Sequence, residues 1–444
     1  MIENTTINAE RRAALRRDDK YIHIMKYMGS KRELLPDIRE EIGKVARSGD
    51  GVLDLFAGTG SVGLYLKDKY NIISNDIQNY SSVICDGLIT ASSIELDFDI
   101  ESSLVELKKC FKKNKNKLST MFSETLSISN DFVSIEKKGW KDSERKKYIK
   151  FVESFPSPLN KFKGKTEEQN YLYSEYILRE RKSKFPYLQT MFLFAETYFS
   201  TEQTMDIDSV RYAIDKVFGN NNVERNMALS ALIYAHSYCS SGTGHFAMFR
   251  DLKDVKSIND VFLYRDKSVW SYFEKKFREI VEFHSFTPER KHLAVSLDFE
   301  EVLEDRELSK KYDVIYADPP YSFVHYSRFY HATESLVRYD YMMPKFKGRY
   351  RTDRHQSPFC QRLNVEEAFN KLIQSSSDNG KTLVLSYADT GMISLANILK
   401  LAEENGMESS VREVDYDHST MGRAGHKSNK IKEYLVTMCP KLVN

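Results

Sequence analysis

A short segment near the start of the chain does most to limit what it can fold into. Gly51-Val52-Leu53-Asp54-Leu55-Phe56 is an apolar run of strand length, and Ala57-Gly58-Thr59-Gly60-Ser61 is a tight turn. Residues 62–69 have helical character, and Ile72-Ile73-Ser74-Asn75-Asp76 forms a second buried run. Two parallel strands need a crossover between them, commonly a helix. Strand, glycine turn, helix and strand in this order therefore predict the opening of a doubly wound α/β domain. Upstream, residues 30–47 predict a helix, with Ser30 as a possible N-cap and Leu34, Leu35, Ile38, Ile42 and Val45 as its apolar positions.

The alternation then stops. From about residue 97 to 290 the chain is charged, aromatic-rich and helical in period, as in 171–182 and 209–217. Strand patterns resume at 292–297 and 312–317. They continue at 382–387, followed by a helix over 393–404 and a hairpin from 409–416 and 431–438. The expected organisation is an arm over 1–20, an α/β domain split between 21–96 and 292–444, and a mostly helical insertion over 97–291. An insertion of that size is long enough to be a domain of its own.

Composition closes off several classes of function. Five cysteines (Cys85, Cys110, Cys239, Cys360 and Cys439) are scattered without metal-ligand spacing, so we expect reduced thiols in a cytoplasmic protein and no metal. No stretch of 18 apolar residues and no secretory h-region occur, so no membrane association is expected. The net charge of +2 announces no polyanion partner, yet residues 101–200 hold 20 Lys/Arg against 13 Asp/Glu. The densest part, 108–117, favours a phosphate backbone; the plain alternative is a solvated helix face.

Five features could carry chemistry. The glycines after the first strand let a ligand approach the backbone, and the next helix N-terminus offers free amides; a simple tight turn is the alternative. Asp76 ends the second strand 16 residues after Gly60, where a carboxylate can hold a ribose diol or merely cap a helix. In Tyr27-Met28-Gly29-Ser30-Lys31 a lysine opens a helix, an end that favours anions. Lys31 there is either a surface residue or a partner, with the free amides, for a carboxylate such as the amino-acid tail of S-adenosylmethionine. Asp298-Phe299, at another strand end, could meet an adenine by hydrogen bond and stacking. Finally, Asp318-Pro319-Pro320-Tyr321 follows an apolar strand. Its acid, its proline-stiffened carbonyl and its ring form a receptor for a flat ring with an exocyclic amino group.

The set YMGSK, DLFAGTG, Asn75-Asp76 and DPPY, in that order, resembles the Dam-like, alpha-group DNA adenine N6-methyltransferases. The likeness continues through Tyr326 to His331, Glu334, Arg338-Tyr339-Asp340, Leu385-Ser386-Tyr387 and Lys432 to Leu435. It covers residues 21–96 and 292–438, and the insertion only loosely. It implies a Rossmann-like methyltransferase fold with a target-recognition insertion. It also implies S-adenosyl-L-methionine bound by Tyr27, Lys31, Asp54, Phe56, Gly58, Gly60, Asp76, Asp298, Phe299 and Asp318, and catalysis by Asp318, Pro319, Pro320 and Tyr321. Many members have tryptophan where Tyr27 stands, and the insertion exceeds that of the small members. The expected substrate is an adenine flipped from double-stranded DNA, in a restriction or phage-defence system, with the enzyme at the nucleoid. Cytosine N4, RNA adenine and a catalytically idle DNA-binding subunit are the alternatives. DNA contacts are expected from Lys112, Lys113, Arg145, Lys146, Arg181, Ser241, Thr243, His245, Arg423 and Lys427.

Overall fold

The computed structural model describes residues 22–27, 31–155, 166–179, 187–219, 222–242, 244–320, 326–417 and 430–441. Its centre is the glycine-turn unit. Strand β1 (Gly51–Asp54) pairs in parallel with β2 (Asn71–Asn75), and the short helix Ser61–Leu66 crosses between them. Gly51 is required by packing, because a Cβ there would lie 1.9 Å from the carbonyl oxygen of Lys311. Further strands are β3 (Leu293–Val295), β4 (Val314–Ala317), β5 (Thr382–Ala388), β6 (Met407–Asp417) and β7 (Lys430–Pro440). They form one seven-stranded sheet in the order β3-β2-β1-β4-β5-β7-β6. Strands β1 to β5 are parallel, and β7 runs antiparallel between β5 and β6.

The strand order reverses between β1 and β4. Crossovers leave in opposite directions there, so a crevice opens beyond the carboxyl ends of these two strands. Both faces of the sheet are covered. Val52, Ile72, Val314, Tyr316, Val384 and Leu435 enter one apolar cluster. Their neighbours Leu53, Ile73, Ile315, Leu383, Leu385 and Val436 enter the other, as the two-residue pleat requires. Helices Phe299–Glu304, Val365–Asp378 and Leu395–Glu404 cover the second face.

The first face is continuous with the helical segment between β2 and β3, whose core joins the same cluster. Its helices start where sequence caps them: Asp99, Ser200, Asn222, Asp254 and Ser268 each accept a backbone N–H from the first turn. The lysine run 108–117 is the middle of one 22-residue helix, Ile100–Met121, that buries Leu104, Leu107, Phe111, Asn114 and Leu118. Helix Val269–Phe283 buries Trp270, Phe273, Phe277 and Ile280 along one stripe. Polar groups also lock this core. Glu196 is fully buried and pairs with Arg265, and it accepts hydrogen bonds from Ser129 Oγ (2.7 Å) and the Thr201 amide (2.8 Å).

The predicted elements occur with shifted ends. The 62–69 helix ends at Leu66, and the 30–47 helix is a 3₁₀ turn, Arg32–Leu34, followed by Leu35–Val45. Ser30, its expected cap, lies outside the described residues. Among the described residues no helix is long and apolar enough to cross a membrane, and no cluster of side chains could hold a metal ion.

Candidate active site

One cavity opens beyond the ends of β1, β2 and β4. Its lining includes Tyr27, Lys31, Asp54, Phe56, Gly58, Asp76, Asp298, Phe299, Asp318, Pro319 and Pro320. These come from five separate stretches of chain, and the sheet order brings them together.

The turn after β1 is built to pass close to a ligand. Gly58 (φ 56°) and Gly60 (φ 70°) both lie in the left-handed region, and Gly60 caps helix Ser61–Leu66. A Cβ on Gly58 would sit 2.9 Å from Tyr27 Oη. Asp76 binds this turn to β2, because its Oδ2 accepts the Gly58 amide (3.0 Å) and its Oδ1 the Gln78 amide (2.9 Å). Asn75 ties the next layer: its side chain donates to the Leu55 carbonyl (3.1 Å) and accepts the Leu297 amide (3.1 Å). The ends of β1, β2 and β3 are thereby fixed to one another.

Three carboxylates share this space. Burial pushes Asp54 up to about 7, helped by the charges of Asp318 and Asp76, and among the described residues its Oδ2 has no hydrogen-bond partner. Burial raises Asp76 to about 6 against the pull of its two amide donors. Asp318 is also raised to about 6, by burial and by Glu433, with Lys31 opposing. A buried acid with an unpaired oxygen costs stability, as at Asp54, and the three clustered acids make the cavity more electronegative as they ionise.

Lys31 does not face solvent. Its side chain is 6% exposed, and its ammonium lies 3.2 Å from Asp318 Oδ1 and 2.5 Å from Glu433 Oε1. Asp298 caps helix Phe299–Glu304 by accepting the Glu300 amide (3.1 Å), and its Oδ2 lies 3.9 Å from His355. Phe299 packs with Phe56 (6.1 Å) and Phe359 (5.1 Å). Tyr27 stacks on Tyr330 at 4.9 Å. Pro319 is buried and the Pro320 carbonyl faces Cys360 Sγ at 3.5 Å. Tyr321, the expected stacking ring, lies outside the described residues, as do Met28 and Gly29.

The expected DNA contacts that fall among the described residues are not part of the cavity lining. Lys112 and Lys113 are exposed on their helix. Arg145 donates to Asp142 (2.8 Å) and to the Lys253 carbonyl (3.1 Å), and Lys146 pairs with Asp142 (3.2 Å). Ser241 departs from expectation: it is 1% exposed, and its hydroxyl donates to the carbonyl oxygens of Thr197 and Tyr198. That hydroxyl ties the loop to the Thr197–Tyr198 backbone inside the fold. His245 packs against Phe329 (4.7 Å), and burial and the Arg328 charge lower its pKa. Arg181, Thr243, Arg423 and Lys427 lie outside the described residues.

Sequence reasoning missed Gln78, Tyr80, His355, Gln356, Ser357 and Cys360, which also line the cavity. They carry no local signature and arrive only through the tertiary fold. The helix Tyr326–Arg338, just after the Asp318 loop, is gripped by the helical segment: the Phe246 amide donates to the Phe329 carbonyl (2.8 Å). Gln189 and Arg211 donate to the carbonyls of Ser335 (2.7 Å) and Leu336 (3.2 Å). Glu334 of the same helix accepts from Asn79 (2.8 Å) and the Tyr80 amide (3.1 Å), beside Asp76.

With this geometry in place, similarity to other proteins becomes informative. Residues 27–388 match the D12 class N6 adenine-specific DNA methyltransferase family, and the chain belongs to that family. It is 23% identical over 426 residues to "Modification methylase LlaI" of Lactococcus lactis subsp. lactis, covering 92% of this chain and 54% of that protein. It is 25% identical over 398 residues to "Type II methyltransferase M.FokI" of Planomicrobium okeanokoites, covering 87% and 48%. "Type II methyltransferase M.NlaIII" of Neisseria lactamica is 23% identical over 423 residues, covering 93% and 98%. The chain thus spans about half the length of LlaI and M.FokI.

Proposed function

We propose that this chain is a site-specific DNA methyltransferase that moves the methyl group of S-adenosyl-L-methionine to N6 of adenine in double-stranded DNA. On this reading the sheet is the Rossmann-like methyltransferase fold, and 97–291 is a target-recognition insertion. Relatives named as modification methylases favour the modification half of a restriction system, acting in the cytoplasm at the nucleoid. The observation that carries the reading is the single cavity shared by the glycine turn, Asp76 and Asp318.

The residues fit the cofactor. The glycine turn leaves a cradle that a Cβ would fill, Asp76 closes its far side, and the aromatic trio of Phe56, Phe299 and Phe359 offers an apolar slot for a purine. The unpaired Oδ2 of Asp54 suits a cationic ligand. Bound there, S-adenosyl-L-methionine supplies an electrophilic methyl group. The chain's own part is to hold the acceptor. Asp318 and the Pro319 carbonyl accept the two amino hydrogens of the extruded base, so the nitrogen lone pair is aimed into the cavity. Asp318 stays ionised and stabilises the positive charge that develops on that nitrogen. Flipping costs a few kcal/mol, and stacking on Tyr321 returns roughly 1–3 kcal/mol of it. Positioning supplies most of the acceleration.

Unmethylated plasmid DNA incubated with the chain and S-adenosyl-L-methionine is digested and its nucleosides weighed. N6-methyladenine is the expected product. Asp318→Ala lowers methylation by roughly a hundred- to a thousandfold, as expected for a lost transition-state contact, while cofactor binding stays measurable by calorimetry. Methyl found only at N4 of cytosine, or undiminished activity in Asp318→Ala, overturns the reading.

A further inference from the structure

Glu433 is the least expected charge in the molecule. It sits on β7, one strand beyond β5, with 0% exposure. Burying a carboxylate is expensive unless it is paired and hydrogen-bonded. Its Oε1 meets both conditions, with Lys31 Nζ at 2.5 Å and Ser386 Oγ of β5 donating at 2.8 Å, while Oε2 is buried without a hydrogen-bond partner among the described residues. Lys31 in turn reaches Asp318 Oδ1 at 3.2 Å. A chain of contacts therefore runs from Ser386 through Glu433 and Lys31 to the acid at the tip of β4.

We infer that Glu433 is a positioning residue that, through Lys31, decides which oxygen of Asp318 meets the substrate. This rests on the methyltransferase reading above. Asp318 Oδ1 is buried against Lys31, whereas the side chain as a whole is 19% exposed and lines the cavity. The lysine thus claims Oδ1 and leaves Oδ2 for the amino hydrogen. An ammonium left alone with Asp318 would compete with the substrate for that carboxylate. Glu433 prevents this by drawing Lys31 the other way; the ammonium is closer to Glu433 than to Asp318. Among the described residues, the titratable groups facing Asp318 are Lys31, Asp54 of β1, Tyr316 of β4, Glu433 of β7 and Tyr27, and Lys31, the cation among them, contacts both Asp318 and Glu433. Glu433 itself is not among the residues that line the cavity, so substituting it changes that balance from behind Lys31.

The test is single-turnover methylation of unmethylated plasmid DNA by the full chain between pH 5 and 8.5. In the wild type the rate climbs with pH as Asp318 ionises. Glu433→Gln should lower the upper plateau about tenfold, the scale of a misplaced acceptor. It should also move the acid limb to lower pH, because a like charge that holds Asp318 up has gone. Glu433→Asp keeps the charge, so its limb stays while its plateau falls. A role in stability alone would lower the rate evenly at every pH. A Glu433→Gln limb that does not move, or a wild-type plateau, overturns the inference. Should Glu433→Gln lose its melting transition, Ser386→Ala decides: a severalfold slower turnover with unchanged cofactor affinity is expected, and a wild-type rate overturns it. Methylation surviving in Asp318→Ala would instead sink the methyltransferase reading itself.

Discussion

At the scale of single residues, the site is defined by what is missing as much as by what is present. Gly58 has no side chain, holds a left-handed φ of 56°, and faces Tyr27 Oη where a Cβ would stand at 2.9 Å. Gly58→Ala should therefore raise the dissociation constant for S-adenosylmethionine at least about tenfold, with a backbone strain of roughly 1–2 kcal/mol. Calorimetric titration measures the first and urea unfolding the second. An unchanged affinity would remove the turn from the cofactor site. The glycines and Asp76 were legible in sequence because their spacing after a strand has a geometric reason. Lys31 was only half legible. Its place near a helix start pointed to an anionic partner, but the carboxylates it meets, Asp318 and Glu433, lie 287 and 402 residues away.

At the scale of elements, strand ends gather the acids. Asp54, Asp76 and Asp318 stand at the carboxyl ends of β1, β2 and β4, and burial raises all three above their usual range. Asp76 and Asp318 are therefore half-protonated near pH 6 and Asp54 near pH 7, and all three ionise as pH rises toward 8. A cationic ligand gains as they ionise; a neutral one does not. The preference for S-adenosylmethionine over S-adenosylhomocysteine, a neutral thioether, should accordingly grow as pH rises from 5 to 8, by about tenfold for charges screened at an effective dielectric of 20. Paired calorimetric titrations across that range check it, and a flat ratio would show that these acids do not sense the sulfur. Helix packing sets a second expectation. Glu196 and Arg265 are buried together, so Arg265→Ala leaves a lone carboxylate and should cost about 3–5 kcal/mol in denaturant unfolding. Combining it with Glu196→Gln should recover part of that loss.

At the scale of the whole molecule, the helical segment and the sheet share one apolar cluster, and the helix after the Asp318 loop is bonded to both. The Tyr326–Arg338 helix thereby ties the helical segment to the residues after β2 that line the cavity. If the exposed Lys112 and Lys113 track phosphates, replacing both by alanine should reduce the salt slope of DNA binding by about 2, close to 0.9 for each contact. Fluorescence anisotropy over a salt series measures this, and an unaltered slope takes that helix off the DNA face. The sequence by itself determined the elements and the chemistry of their ends. Two-residue and helical periodicities are local, and glycine turns, caps and the Asp-Pro-Pro-Tyr receptor are written in consecutive residues. Only the tertiary structure decided which distant groups meet. The place of β7 between β5 and β6, the burial of Glu433 beneath Lys31 and the inward turn of Ser241 depend on strand order and packing. No period in the chain encodes those, because contacts between residues hundreds of positions apart are chosen by the free energy of the whole core.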